Sequence, residues 1–167
     1  MSLLLPLAMP LGVQGAAMVV DELYFHRQRG LGAWERIGHP LDTMTVFACI
    51  AWVLWVPPDA RAITVYVGLA IFSCLFITKD EGVHAAECRA GEHWLHSVLF
   101  VVHPMSLASI GLMWPVIHLP PGEAPAWLEG IPAASIVTMQ LVVTGAFALY
   151  QVLYWNLAWL RTSSPTR

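Results

Sequence analysis

The chain has 167 residues, enough for a single domain. Hydrophobic side chains make up 57% of it and charged ones only 11%, which is typical of membrane proteins and argues against a soluble globular fold. A formal net charge of -3 argues against nucleic acid as a partner. The three cysteines, an odd number, do not indicate a disulfide framework.

Five apolar segments predict an all-α integral membrane protein whose single domain covers residues 1–167. Because about 20 residues are needed to cross the hydrocarbon core, the second and third segments are short unless their flanks are included. The first segment could instead be a cleaved signal peptide, but no basic residue precedes its apolar run. The predicted spans are Leu3–Phe25, Met44–Val56, Ala62–Thr78, His93–Ile117 and Ala134–Leu160.

The basic residues predict how these spans are oriented. They concentrate in the first and third connections, whereas the second connection has only Arg61 and the fourth has none. The positive-inside rule therefore places the first and third connections and the C-terminus in the cytoplasm, and the N-terminus outside, in a bacterial inner membrane. The residues that decide this orientation are Arg27, Arg29, Arg36, Lys79, Arg89, Arg161 and Arg167.

The polar residues of the chain concentrate on the predicted cytoplasmic side. The densest stretch runs from Lys79 to His103, and the end of the first span and the start of the second carry further acids and histidines. Carboxylates and imidazoles at the edge of a membrane are costly to desolvate unless a bound cation compensates them. We therefore predict one metal site at the cytoplasmic ends of helices 1 to 4.

Acids and histidines at helical spacing identify the candidate ligands. Glu22 and His26 are four residues apart, so they share one face of a helix. Glu81 and His84 have the spacing of the acid–histidine element that holds two iron or manganese ions in helical bundles. The predicted metal ligands are Glu22, His26, His39, Asp42, Asp80, Glu81, His84, Glu87, Glu92, His93, His96 and His103.

Two of these ligands also have an ordinary structural interpretation. Pro40 suits an early helical position, so a helix is expected to start near His39, and Asp42 could cap it. His103 lies about 10 Å deeper in the membrane than His96 by helical rise. It could therefore be a hydrogen-bonded core histidine.

Other residues of the polar stretches have weaker claims. Asp21 points about a quarter turn away from Glu22 on an α-helix, so it could bind a different ion or stay solvated. Cys88 follows His84 by four residues, but a thiol beside a packed helix is more often inert. Gly91 is expected to interrupt the helix.

The fifth span carries polar residues in its predicted cytoplasmic half. They lie level with the metal site, where they could orient its histidines or carboxylates from behind. These residues are Tyr150, Gln151, Tyr154 and Asn156.

The ligand types favour iron. Carboxylate oxygen with imidazole suits iron, manganese or zinc, and the residues available are enough for two or three ions. The repeated acid–histidine pairs tilt the choice to iron, with zinc or manganese as alternatives.

The pattern resembles membrane non-haem di-iron enzymes such as fatty-acid desaturases and hydroxylases. These enzymes bind iron with histidine boxes at the cytosolic ends of their helices, and His93-x-x-His96 is the one two-histidine box here. The share of carboxylates is closer to that of ferritin-type bundles. The string KDE-x-VH…C…E-x-WLH…HP also resembles small bacterial multi-span membrane proteins, a resemblance that implies no particular activity.

Three functions are compatible with such a site. The first is a di-iron oxidoreductase acting on a membrane lipid or another lipid-soluble substrate, with an electron-donor protein as partner and Tyr24 or Tyr154 nearby. The second is a zinc-dependent hydrolase of a lipid ester, amide or phosphate, with Glu87 or Glu92 as general base. The third, a metal transporter or sensor, is disfavoured because only His103 lies deep in the membrane. The oligomeric state is not predicted.

Overall fold

The computed structural model describes residues 4–120, 123, 126 and 130–159, and within them the chain is helical with no strand. Five of its helices are long and apolar enough to cross a membrane, as the sequence predicts. They are α1 (Leu4–Arg29), α2 (Ala33–Trp55), α3 (Ala60–Ala86), α4 (Ala90–His118) and α5 (Ala133–Ala158).

The outer surface of the bundle is apolar. Every helix exposes large hydrophobic side chains, among them Leu5, Met44, Leu75, Val101 and Val142. Soluble monomers rarely expose apolar patches of this extent. An apolar outer surface of this kind is what a membrane-spanning helical bundle presents to lipid.

Helix α2 lies at the centre of the bundle. It packs against α3, α4 and α5, while α1 packs mainly along α4. One end of the bundle holds a buried hydrophobic core that includes Cys49, Ile50, Val53, Met113 and Val137. We call these five residues the apolar core. The other end holds the buried acids and histidines.

Helix α2 begins much earlier than the sequence predicts. It starts at Ala33 instead of Met44, and the expected start near His39 is wrong. The backbone N–H of Gly32 donates to Glu35 Oε2 at 3.0 Å, which caps the first turn.

Pro40 is therefore an interior residue of α2 and not part of its first turn. A proline cannot donate to the carbonyl four residues before it, which here is the carbonyl of Arg36. The side-chain amide of Asn156 in α5 donates to that carbonyl at 3.1 Å. The contact with α5 thus supplies the hydrogen bond that Pro40 removes.

The connection between α3 and α4 is also shorter than expected. Helix α3 continues past Phe76 through a 3-10 turn, Ile77–Asp80, into the helical turns Glu81–Glu87. The break falls at residues 88 and 89, and Gly91 lies inside α4, so its predicted role as the helix breaker is wrong. The short connections bring four helix ends together.

Candidate metal centre

Four histidines from four different helices meet at the polar end of the bundle. The ring centroids of His26 and His39 are 4.7 Å apart, and those of His84 and His96 are 4.1 Å apart. The two pairs lie side by side, with 6.4 Å between His39 and His84 and between His26 and His96. We call these four residues the histidine quartet. The sequence predicts that the end of the first span, the start of the second span and the stretch from Lys79 to His103 come together, and this is confirmed for these four histidines.

One half of the quartet belongs to a group of four possible ligands, Asp21, His26, Glu92 and His96, which we call group A. All four side chains are buried, and one ligand atom from each lies within 4.8 Å of the others. His26 Nε2 and His96 Nε2 approach Asp21 Oδ2 to 3.2 and 3.1 Å. Glu92 Oε1 lies 3.8 Å from His26 Nε2.

The other half belongs to a second group, Glu35, His39 and His84, which we call group B. Their ligand atoms also lie within 4.8 Å of one another. His84 Nε2 is 3.8 Å from Glu35 Oε1. Because the quartet rings pair across the two groups, groups A and B are neighbours in one cluster.

A π-helical turn, Asp21–His26, places two members of group A on the same face of α1. On an α-helix, residues five apart point in different directions. A π-helix pairs residue i with residue i+5, so Asp21 and His26 face the same site. Asp21 is 6% exposed, which overturns the expectation that it could stay solvated. π-Helical turns are frequent at functional sites.

Glu22 lies behind His26, outside groups A and B. Its Oε2 is 3.5 Å from His26 Nδ1, while Oε1 accepts hydrogen bonds from Trp155 Nε1 at 2.6 Å and from the Tyr150 hydroxyl at 3.1 Å. These contacts hold His26 with Nε2 facing Asp21. A carboxylate on the second ring nitrogen is the usual companion of a metal-binding histidine. Tyr150 thus has the orienting position that the sequence indicates.

Arg29 connects the two groups. Its guanidinium donates to both oxygens of Glu35, at 2.7 and 3.0 Å, and to Glu92 Oε1 at 3.1 Å. From the sequence we expected the arginines of this region only to set the topology. The structure gives Arg29 a place inside the cluster.

Two of the predicted histidine ligands are engaged in other hydrogen bonds. Both ring nitrogens of His103 are used, Nδ1 by Gln14 at 3.0 Å and Nε2 by Ser73 at 3.0 Å. His93 Nε2 donates to the backbone carbonyl of His84 at 2.8 Å and ties the end of α3 to the start of α4. Neither histidine belongs to group A or group B.

Two further predicted acidic ligands, Asp42 and Glu81, fall outside the two groups. Asp42 forms an ion pair with Lys79, and Glu81 is exposed. The side chains of Asp80 and Glu87 lie outside the described residues, so their predicted roles stay predictions.

The remaining candidates lie at the margin of the cluster. Tyr24 is exposed, and Tyr154 carries the guanidinium of Arg27 over its ring at 4.9 Å. Burial raises the pKa of the Cys88 thiol to about 12, and a hydrogen bond to Glu92 adds to this effect. Since metals bind the thiolate, this environment disfavours Cys88 as a ligand.

A repeat in the sequence could have revealed Glu35. Each histidine of the quartet follows an acidic residue by four positions, a spacing that puts both on one helix face. The pairs are Glu22 and His26, Glu35 and His39, Asp80 and His84, and Glu92 and His96. Glu35 was missed because the helix containing it was expected to begin only near His39.

The buried charge of the cluster calls for cations. Glu22, Glu35 and Glu92 are at most 2% exposed, Asp21 is 6% exposed, and Arg29 is the basic side chain that contacts two of these four carboxylates. Burying an unpaired carboxylate costs roughly several kcal/mol of desolvation free energy, and a bound metal ion is one way to compensate this cost.

Unused ring nitrogens fit the same interpretation. His39 Nε2 and His96 Nδ1 are buried and make no hydrogen bond to the described residues, and the buried His26 Nε2 contacts Asp21 Oδ2 at 3.2 Å without hydrogen-bond geometry. Buried polar groups are normally hydrogen-bonded, so these nitrogen atoms need an explanation. The unprotonated nitrogen of a neutral imidazole is a common metal ligand. With the carboxylate oxygens of groups A and B, this donor set fits iron, manganese or zinc.

A cavity of about 100 Å³ adjoins the quartet, each of whose histidines lines it. Apolar side chains also line it, among them Val46, Leu99, Phe100 and Phe147. The buried amides of Gln14 and Gln151 face it as well. The cluster therefore borders a space in which a small group can approach the possible metal ligands.

No protein-family model, curated protein or solved structure matches the chain. The case for a metal centre therefore rests on the residues and their geometry. The resemblance to histidine-box enzymes remains an expectation.

Proposed function

We propose that the protein is an integral membrane metalloprotein with a binuclear iron centre, which acts as an oxidoreductase on a lipid-soluble substrate. The observation that carries this proposal is the pair of adjacent ligand groups A and B, buried inside a bundle with an apolar outer surface. One ion would bind in each group.

The charge distribution supports a cytoplasmic position for this centre in a bacterial inner membrane. Arg27, Arg29, Arg36, Lys79 and Arg89 all belong to the helix ends that carry the cluster or to their connection. The positive-inside rule then orients the N-terminus outside and the polar end of the bundle inside.

The donor set supports iron over softer metals. Groups A and B supply only carboxylate oxygens and imidazole nitrogens. Iron, when bound, supplies one-electron chemistry. The chain holds His26 through Glu22 and Trp155, so that the ligand geometry is set before any ion binds.

The cavity supports a lipid-soluble substrate of which only one end reaches the metals. A 150 Å³ apolar cavity holds about one benzene molecule, so a space of about 100 Å³ takes a smaller reacting group. The apolar core closes the opposite end of the bundle, which supports a confined site and not a transport path. An electron-donor protein would approach the cytoplasmic face.

The test is the metal content of protein purified in detergent from iron-replete cells. We expect about two iron ions per chain and an absorption band that changes on reduction. His84→Ala and His96→Ala should each lose at least one ion, because each removes a ligand of a different group. His118→Ala is the matched control, since His118 Nε2 contacts the carbonyl of Val53 at the opposite end.

Three results would decide against this function. Zinc in place of iron, with no reducible band, would favour a metal-dependent hydrolase. Full metal content in the His84 and His96 variants would contradict the ligand assignment. Protein without iron, manganese or zinc would contradict the metal centre itself.

A further inference from the structure

We infer that groups A and B differ in metal affinity, and that Arg29 causes the difference. Group A binds a divalent cation first, and group B binds one only when Arg29 releases Glu35. This inference rests on the proposed metal centre and deepens it, because it assigns the order in which the two positions fill.

The carboxylate of Glu35 already accepts three hydrogen bonds. Arg29 donates to both of its oxygens, and the backbone N–H of Gly32 donates to Oε2. Two-pronged contacts between a guanidinium and a carboxylate are among the strongest hydrogen-bonded pairs in proteins. A cation in group B must compete with this pair for the same oxygen atoms.

Among the described contacts, neither carboxylate of group A is held by both arms of a guanidinium, although Cys88 hydrogen-bonds Glu92 as well. Arg29 makes one contact with Glu92, to Oε1 at 3.1 Å. Asp21 contacts the ring nitrogens of His26 and His96, which are themselves ligand atoms of group A. A cation entering group A therefore displaces little.

The charges favour the same order. Asp21 and Glu92 lie in group A, and Glu22 stands directly behind its histidine His26. Among the described side chains, group B has one carboxylate, Glu35, and the guanidinium of Arg29 contacts both of its oxygens but only one oxygen of Glu92. A first cation in group A gains attraction to several carboxylates, whereas a second cation in group B meets the first ion and the guanidinium at short range.

Arg29 is placed so that it can leave the cluster. It belongs to the last turn of α1 and precedes Gly30, whose φ of 77° turns the chain towards α2. Its side chain is 18% exposed, whereas the side chain of Glu35 is 1% exposed. The guanidinium can turn towards water, and the carboxylate cannot.

Manganese titration of metal-stripped full-length protein in detergent tests the order of filling. Calorimetry should show two binding steps for the wild-type chain, with dissociation constants that differ by about tenfold or more, the worth of a charged hydrogen bond. Asp21→Asn should weaken the first step, and His39→Ala should remove only the second. These two variants assign the steps to groups A and B.

Arg29→Gln tests the cause. It should strengthen the second step by about tenfold while the first changes less than threefold, because the guanidinium competes mainly for Glu35. Arg29→Lys keeps the charge but not the fork, so its second step should fall between those of wild type and Arg29→Gln. Arg36→Gln is the matched control: it removes an equal charge from the same end, and among the described contacts Arg36 donates to no carboxylate of either group.

Equal affinities in the wild-type chain would overturn the inference, as would a weaker second step in Arg29→Gln. An equal gain in Arg36→Gln would also overturn it, since the effect would then be one of net charge. The circular dichroism of each variant must match wild type, and Arg29→Lys serves in place of Arg29→Gln if the latter does not fold. No manganese binding at all would contradict the proposed metal centre, whereas two equal sites would contradict only the role of Arg29.

Discussion

The two ends of the bundle are built from the same helices but enclose opposite interiors. At one end α2, α4 and α5 bury Ile50, Met113 and Val137 in the apolar core. At the other end α1 to α4 carry the histidine quartet and its carboxylates, and Trp155 of α5 contacts Glu22 there. The outer surface is apolar along both ends.

The apolar end stabilises the fold, whereas the end with the histidine quartet carries the proposed function. Packing of apolar side chains stabilises the first end, as in most helical membrane proteins. Burial of carboxylates and imidazoles destabilises the second end unless cations fill it. Natural proteins depart from these packing rules mainly at functional sites, so the second end is where we propose the function.

The largest expected effect on stability is at the apolar end. Ile50 is fully buried, so Ile50→Ala leaves a cavity and should lower the free energy of unfolding by about 2–5 kcal/mol. Metal content per folded chain should stay unchanged. Denaturant titration in detergent and elemental analysis measure the two quantities. A loss of metal in folded Ile50→Ala would show that the two ends are not separate.

An intermediate effect is expected from the residues behind the quartet. Trp155→Phe removes the indole N–H that holds Glu22, and Glu22 orients His26. Loss of such an outer contact typically weakens metal binding by about 10- to 100-fold. Trp114→Phe, which removes an indole N–H that donates to the carbonyl of Val56 at the apolar end, is the matched control. Unchanged manganese affinity in Trp155→Phe would mean that Glu22 does not position His26.

The smallest effect is expected where α5 supports Pro40 in α2. Asn156→Leu leaves the carbonyl of Arg36 without its side-chain donor and should lower stability by about 1 kcal/mol. In a Pro40→Ala background the backbone N–H of residue 40 can bond to that carbonyl, so the same substitution should have much less effect. A double-mutant cycle measures the coupling. Equal losses in both backgrounds would contradict this role of Asn156.

Much of the architecture could be predicted from the sequence. Hydropathy indicated five helices, and the placement of acids and histidines at alternate helix ends indicated one cluster. His26, His39, His84 and His96 do come together. These features follow from the length of each apolar segment and from the side of the bundle on which each helix ends, and both can be read from a single sequence.

The details of the site depended on backbone geometry that a sequence pattern does not reveal. Asp21 joins His26 only because the chain forms a π-helical turn there. Glu35 was not predicted as a ligand because Pro40 was expected at the start of a helix. The side-chain amide that compensates for this proline belongs to Asn156, which is far away in the sequence. The hydrogen bonds of His103 with Gln14 and Ser73 also join residues far apart in the chain.

X-ray absorption at the iron edge, on protein purified without added metal, tests the central claim most directly. We expect a stoichiometric signal, a first shell of oxygen and nitrogen that includes histidine, no sulfur, and a second metal at about 3.5–4 Å, as in other two-metal sites. The absence of stoichiometric metal would contradict the account. A first shell containing sulfur would contradict it as well.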